Sequence, residues 1–280
     1  MERNGLAYWD RIAVHWRIAP PLSPSAAEIS AIEHSAQAFA DTANTISPFA
    51  LLLGVTPAIA RMRWPPGTTL LAADLSAAMI RHHWPADGVP PGARAIRADW
   101  RELPLPDSAR HLVIGDGCYT ALGSLDAAAR LNREISRVLK PGGLYCLRCF
   151  VRPDRPPSAE SLFQELFAGH ARNPHLFRWL LAMAMQGDSP QGVLLDAVWR
   201  EWNEQVADAR AAIARCGWPE RSDQAFERMR GMNTRFYFPR AADLRQLAEP
   251  LFDVVEFRVP DFEWGECFPT LVMRSRKNAQ

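Results

Sequence analysis

Lysine is nearly missing from this chain. Of 32 basic residues only Lys140 and Lys277 are lysines; the rest are arginines. Arginine is always charged and forks into planar, directional contacts, so this usage suits ion pairs as well as ligands. Charge of one sign is missing too: 31 acidic residues leave a formal net charge of +1, which disfavours a protein that coats nucleic acid. No apolar run is long. Phe49 to Val55 and Leu180 to Met185 are among the longest, far short of the ~20 residues that span a bilayer. The opening Met-Glu-Arg-Asn-Gly has no apolar core, so no signal peptide and a cytoplasmic setting are expected. Metal-ligand spacing is scarce: of the five cysteines, only Cys146 and Cys149 are spaced Cys-x-x-Cys. They lie in an apolar run read as a strand, where positions three apart face opposite ways. No metal site is expected, and the cysteines read as buried free thiols. No repeat and no low-complexity segment is present.

The 280 residues suit two domains or one large α/β domain with an insertion. Leu6 to Ile18 and Ser25 onward read as two helices, the second opened by a Ser25–Glu28 capping box. Short apolar runs at 49–53, 69–73, 93–97, 111–115 and 144–151 then alternate with helical segments at 77–83 and 125–139. Buried strands alternating with helices indicate a doubly wound parallel sheet. Pro141-Gly142-Gly143 stops the helix that ends at Lys140. Residues 161–215 read as helical in about three pieces. A strand at 234–238, a helix at 241–248 and strands at 251–259 and 267–274 follow. The expected organisation is an N-terminal helical lid (1–45), an α/β core (46–152), a helical insertion (153–233) and a closing helix with strands (234–280).

In an open α/β sheet, ligands sit beyond the carboxyl ends of the strands. After the first strand come Gly54, Val55, Thr56 and Pro57. The glycine suits a positive-φ turn, Thr56 a helix N-cap and Pro57 a first helical residue. After the second come Asp74, Leu75 and, one turn on, Met79. Asp74 follows Gly54 by about twenty residues, the place of a ribose-binding acid; it also suits a helix cap, as does Ser76. Asp99 and Trp100 follow the third strand, where an acid can accept from an adenine amino group and an indole can cover the base; a capped turn reads equally well. Asp116, Gly117, Cys118 and Tyr119 follow the fourth, otherwise an ordinary exit loop.

Taken together, the order and spacing of these residues resemble the class I S-adenosylmethionine-dependent methyltransferases. Phe49-Ala-Leu-Leu-Leu-Gly-Val-Thr-Pro is similar to their glycine-rich motif. Leu71-Ala-Ala-Asp-Leu-Ser is similar to the second motif, Arg97-Ala-Asp-Trp to the adenine-binding one, and Arg137-Val-Leu-Lys-Pro-Gly-Gly-Leu to the turn before the fifth strand. The resemblance covers residues 49–151. It implies a seven-strand, Rossmann-like doubly wound sheet with an N-terminal helical lid and a helical insertion after the fifth strand. It also implies S-adenosyl-L-methionine as cofactor and S-adenosyl-L-homocysteine as product. The first motif departs from the family: Thr56 and Ala58 stand where two glycines are usual, and no acid precedes Gly54. Asp116 as a carboxylate, or Tyr8 as a hydroxyl, is then the expected partner of the cofactor's methionine ammonium. Tyr8, Trp9 and Trp16 are lid candidates, because an aromatic face attracts a sulfonium.

The expected cofactor residues are therefore Tyr8, Trp16, Gly54, Val55, Thr56, Asp74, Leu75, Met79, Asp99, Trp100, Asp116, Gly117 and Cys118. For the acceptor, Tyr119, His175, Arg235, Tyr237 and Glu266 are candidates, with Tyr119 and His175 the only ones offered for catalysis. His170 reads rather as a surface residue. Phe163, Phe167, Phe177, Trp179, Trp199 and Trp202 read mostly as core, with a few lining a flat apolar pocket. Near-zero charge and the apolar insertion favour a small-molecule methyl acceptor, as in secondary metabolism, over nucleic acid or membrane. The alternatives are a non-methylating enzyme of the same fold and a degenerate cofactor-binding regulatory protein.

Overall fold

The computed structural model describes residues 3–15 and 19–278. Nine strands are found among them: β1 Phe49–Leu53, β2 Thr69–Asp74, β3 Arg94–Arg97, β4 Arg110–Asp116, β5 Leu139–Arg148, β6 Val193–Leu194, β7 Arg235–Phe236, β8 Phe252–Arg258 and β9 Thr270–Ser275. Seven of these form one sheet in the order β3-β2-β1-β4-β5-β9-β8. β1 to β5 pair in parallel, and β9 runs antiparallel to both β5 and β8. The strand order reverses between β1 and β4, so a crevice opens beyond their carboxyl ends.

The helices are α1 Arg3–Ile12, α2 Ala26–Thr42, α3 Pro57–Ala60, α4 Ala77–His83, α5 Cys118–Leu122, α6 Leu125–Val138, α7 Ala159–Ala168, α8 Pro174–Gln186, α9 Leu195–Gln205, α10 Ala209–Cys216, α11 Gln224–Glu227 and α12 Ala241–Ala248. They pack on both faces of the sheet. Leu52, Ala72, Ile114 and Cys146 point to the layer holding Ile32 and Phe39 of α2. Leu51, Leu53, Val113 and Tyr145 point to the layer holding Leu131 and Ile135 of α6. Strands buried on both sides read as continuous apolar runs, which is why they were visible in sequence. Cys146 and Cys149 fall in these opposite layers.

The expected helix over 6–18 is shorter: α1 ends at Ile12 and a 3-10 turn covers Ala13–His15. Trp16 lies outside the described residues. The Ser25 capping box is present, with the Glu28 amide donating to Ser25 Oγ at 3.3 Å and the Ser25 amide to Glu28 Oε2 at 2.8 Å. β5 begins earlier than expected. Leu139 pairs with Arg110, and a register shift carries the Pro-Gly-Gly segment as a bulge before Leu144 meets Leu112. The strand at 234–238 shrinks to β7, which joins only β6 in a separate two-stranded sheet.

After β5 the insertion builds its own core. Trp202 stacks on Phe226 with ring centroids 4.2 Å apart, and Phe177 meets Phe163, Trp202 and Trp218 edge-on or tilted. Tyr8, Leu22 and Phe150 join the same cluster, which fastens the insertion and the N-terminal helix over one end of the sheet. Among the described residues no helix is long and apolar enough to cross a membrane.

Candidate functional site: a cleft at the strand ends

A cleft of about 550 Å³ opens beyond the carboxyl ends of β1 to β4, within the size range of small-molecule sites. Of the residues expected at the cofactor, Gly54, Val55, Thr56, Asp74, Leu75, Met79, Asp99, Trp100, Asp116 and Gly117 line it. Gly54 has φ +89°, and a Cβ there would stand 3.7 Å from the Trp100 ring and 3.9 Å from Asp74 Oδ2. The glycine therefore serves a backbone conformation and an open approach rather than relieving a clash. Gly117 differs: with φ +65°, an added Cβ would lie 2.6 Å from Phe150.

Asp74 accepts from the Ser76 amide at 2.8 Å. Ser76 Oγ donates to Asp10 of α1 at 2.6 Å and accepts from the Met79 amide at 3.0 Å, capping α4. Capping thus falls to the serine, and Asp74 turns to the cleft. Burial, aided by nearby Asp10, raises the Asp74 carboxyl to about 6. Trp100 Nε1 donates to Ala73 O at 2.6 Å, fixing the indole over the strand ends. Asp99 is held bidentately by Arg101, at 3.0 and 2.6 Å.

Sequence reasoning missed Arg148, the last residue of β5. Its guanidinium is fully buried between two carboxylates, with Nε on Glu28 at 2.6 Å and Nη1 on Asp116 at 2.9 Å. Further bonds reach the carbonyls of Pro21 and Leu22, and the rings of Phe150 and Phe268 flank it. A charge inside an otherwise apolar strand was the signal, since such a charge demands partners. Burial raises the Asp116 carboxyl and Arg148 opposes this. Thr56 is an N-cap by position only. Its side chain makes no cap bond, and its hydroxyl lies 3.4 Å from Asp116 Oδ2.

Several expected site residues lie elsewhere. Tyr8 is buried against Trp9 and Phe236, and it is Trp9 that lines the cleft. Cys118 is fully buried beneath the cleft, its thiol pushed up beyond the usual range by burial. Tyr119 points to the opposite face of α5, where its hydroxyl donates to Asn132 at 2.7 Å. Two residues along a helix turn a side chain through about 200°, so Gly117 and Ala121 reach the cleft and Tyr119 does not. Tyr237 is buried, with its amide on Thr120 O at 3.2 Å. Arg235 and Glu266 are exposed away from the cleft, and Arg235 binds Gln191 O at 3.4 Å. His175 is half-buried on α8 and not in the lining; burial and Arg178 lower its pKa to about 4. His170 pairs at the surface with Glu165, 3.0 Å away.

Besides Trp9, the lining also includes Leu22, Ser23, Ala121, Leu122, Phe150 and Trp179. Phe150 stands two residues beyond the end of β5, where the strand-end rule would have found it had the strand been ended at Arg148. Trp179 was among the insertion aromatics. Leu22 and Ser23 carried no local signal. Among the described residues no group of three or more His, Cys, Asp or Glu side chains could hold a metal.

The strand order and the single antiparallel strand define the seven-strand, Rossmann-like methyltransferase fold. Residues 54–147 match the family described as a methyltransferase domain. The chain thus carries a methyltransferase-domain match over that segment, within the fold of the S-adenosylmethionine-dependent methyltransferases. Among solved structures it is similar to a Methanosarcina mazei S-adenosylmethionine-dependent methyltransferase, at 15% identity and TM-score 0.51, covering 82% of this chain and 93% of that one. It is also similar to the N-methyltransferase NodS of Bradyrhizobium japonicum WM9, solved with S-adenosyl-L-homocysteine, at 10% identity and TM-score 0.53, covering 98% and 100%. A Rhodobacter sphaeroides protein described as a candidate Zn-dependent alcohol dehydrogenase shares the fold at 12% identity and TM-score 0.59, covering 100% of both chains. No curated protein matches the chain.

Proposed function

We propose that the chain transfers a methyl group from S-adenosyl-L-methionine to an O, N or C atom of a small-molecule acceptor, with both held in the strand-end cleft. When bound, the cofactor supplies a sulfonium methyl that an acceptor lone pair attacks while the sulfur–carbon bond electrons return to sulfur. Asp74 would accept from the ribose hydroxyls, with Asp99 and Trp100 at the adenine and Gly54 under the methionine part.

The observation that carries this reading is the charge at the cleft floor. One guanidinium, Arg148, sits between two carboxylates, Glu28 and Asp116. If both are ionised, the buried group carries one net negative charge, and Asp116 brings it to the cleft wall. A buried charge without compensation is costly. An amino acid ammonium placed there supplies the missing cation, although the usual acid before Gly54 is absent.

Leu22, Leu122, Phe150 and Trp179 add apolar surface to the lining, and the insertion packs over it. This supports a small acceptor enclosed away from water. In-line transfer chiefly requires the acceptor atom to be held near the methyl. A base is required only for an acceptor that retains its proton, and none is assigned.

The test is calorimetric titration with S-adenosyl-L-homocysteine, beside Asp74→Ala. Loss of a hydrogen-bonded carboxylate should weaken binding about 10- to 100-fold. A folded wild type that does not bind overturns the reading. Transfer of labelled methyl into protein or RNA rather than small molecules overturns the acceptor class.

A further inference from the structure

Two carboxylates from distant parts of the chain meet on one serine. The Ser76 amide donates to Asp74 Oδ1 at 2.8 Å, and the Ser76 hydroxyl donates to Asp10 Oδ1 at 2.6 Å. Asp74 ends β2 and lines the cleft. Asp10 belongs to α1, 66 positions before Ser76, and the residue beside it, Trp9, lines the same cleft. Asp10 is exposed, so the core does not depend on it.

The amino-terminal segment is tied down at two further points. His83 Nε2 binds Ala13 O at 2.7 Å, which holds the segment to α4. Arg11 Nη1 donates to Arg230 O at 2.8 Å, which holds it to the insertion. Of these three ties, only that of Asp10 ends on a residue that also holds a cleft carboxylate. The other groups around Asp74 do not take over its part. Gly54 and Trp100 are uncharged and adjoin it. The Cys118 thiol is pushed up by burial. Asp99 is paired with Arg101 and Asp116 with Arg148, Arg97 donates to Leu75 O at 3.0 Å, and His83 is turned to Ala13 O.

Two like charges brought together disfavour each other. A hydroxyl that donates to Asp74 draws off part of the charge that Asp10 meets. Asp10 is then held on Ser76 at less cost, and by reciprocity the hydroxyl binds better while Asp10 is held. We propose that Asp10 is a positioning residue for the cofactor: through Ser76 it joins the amino-terminal segment to the ribose-binding carboxylate, so that ribose and segment settle on the end of β2 together. This deepens the reading above and rests on it for the ribose at Asp74. Asp10 acts only through Ser76 and Asp74.

The test is calorimetry and hydrogen exchange on the full chain with S-adenosyl-L-homocysteine. At pH 8, Asp10→Ala should bind about fivefold more weakly than the wild type, the lower end of coupling between two sites. Binding should slow exchange over residues 3–15 in the wild type and fail to do so in Asp10→Ala. Asp10→Asn keeps an oxygen for Ser76 and removes the charge. Its loss of affinity on acidification should therefore begin at lower pH than the wild type's, which falls near 6. Arg11→Ala cuts the tie to the insertion and should leave that midpoint in place. Equal affinities for the wild type and Asp10→Ala at pH 8 overturn the proposal. So does an unmoved midpoint in Asp10→Asn, or one moved as far in Arg11→Ala. If S-adenosyl-L-homocysteine fails to bind the wild type, the cofactor reading falls. Unfolding of the free protein still judges Asp10, because the stability that a raised Asp74 loses as pH rises through about 6 should be lost at lower pH in Asp10→Asn.

Discussion

Among the described residues Arg148, Arg152 and Arg178 are buried, and the surroundings of the first and the last are opposite. Arg148 at the end of β5 meets two carboxylates, two backbone carbonyls and two aromatic rings. Arg178 on α8 meets one indole, and its Nε has no partner. The first arrangement satisfies a charge within the fold. The second leaves a charge with no carboxylate beside it among the described residues. The difference teaches that burial alone does not decide how a charge is met. At the sheet end the guanidinium of Arg148 is fully matched, while Asp116 also faces the cleft. In the insertion, Arg178 Nε and Trp179 Nε1 are buried with no hydrogen-bond partner among the described residues.

The largest effect should come from Arg148→Met. It strands Glu28 and Asp116 as uncompensated buried carboxylates, and breaking such a pair costs about 3–5 kcal/mol. Urea unfolding should show that loss, whereas Arg178→Met should show a gain. Losses of equal size at both positions would dissolve the contrast. Next comes Asp116→Asn, which keeps an oxygen for Arg148 and removes the charge offered to the cofactor's ammonium. Affinity for S-adenosyl-L-homocysteine should fall about tenfold, the size of one charge-assisted hydrogen bond. An unchanged affinity would mean that the charge at the floor serves folding alone.

A third expectation concerns pH. The Asp74 carboxyl titrates near 6 because it is buried and faces Asp10. As pH falls through about 6, Asp74 gains a proton and loses acceptor strength, so S-adenosyl-L-homocysteine should bind more weakly, and Asp74→Asn should lack that step. For the free protein the sign reverses. A carboxyl raised above its unfolded value stabilises the fold at low pH, and that contribution is lost as pH rises through about 6. Calorimetric affinities between pH 5 and 8 check the first statement and unfolding midpoints the second. The smallest effect should be Tyr119→Phe. It leaves one donor fewer for Asn132 and should cost about 1 kcal/mol with no change in cofactor affinity; a weakened cofactor would return Tyr119 to the site.

The same contrast divides what was legible in the sequence. β1, β2 and β4 were readable because strands buried on both faces carry unbroken apolar runs, and the residues just beyond them are placed by the chain itself. Gly54, Asp74, Trp100 and Asp116 therefore reached the cleft from their positions in the sequence alone. β5 was misread at both ends: the Pro-Gly-Gly segment bulges within the strand rather than preceding it, and Phe150 was counted inside it. Tyr119 failed for a rotational reason, since its helix begins immediately after Gly117 and turns it inward. Arg235 and Glu266 failed because adjacency to a strand says nothing about which way a loop departs. Arg178 and Trp179 were out of reach. Their significance lies in having no partner, and a missing contact is visible only once every neighbour has been placed.

Glu28 carries a consequence of its own. One oxygen of its carboxylate closes the start of α2 by accepting the Ser25 amide, and the other holds Arg148. These residues are separated by 120 positions in the chain. The beginning of a helix and the underside of the strand-end cleft are thereby one joint. Opening that joint would loosen the start of α2 and the electrostatic setting of Asp116 together.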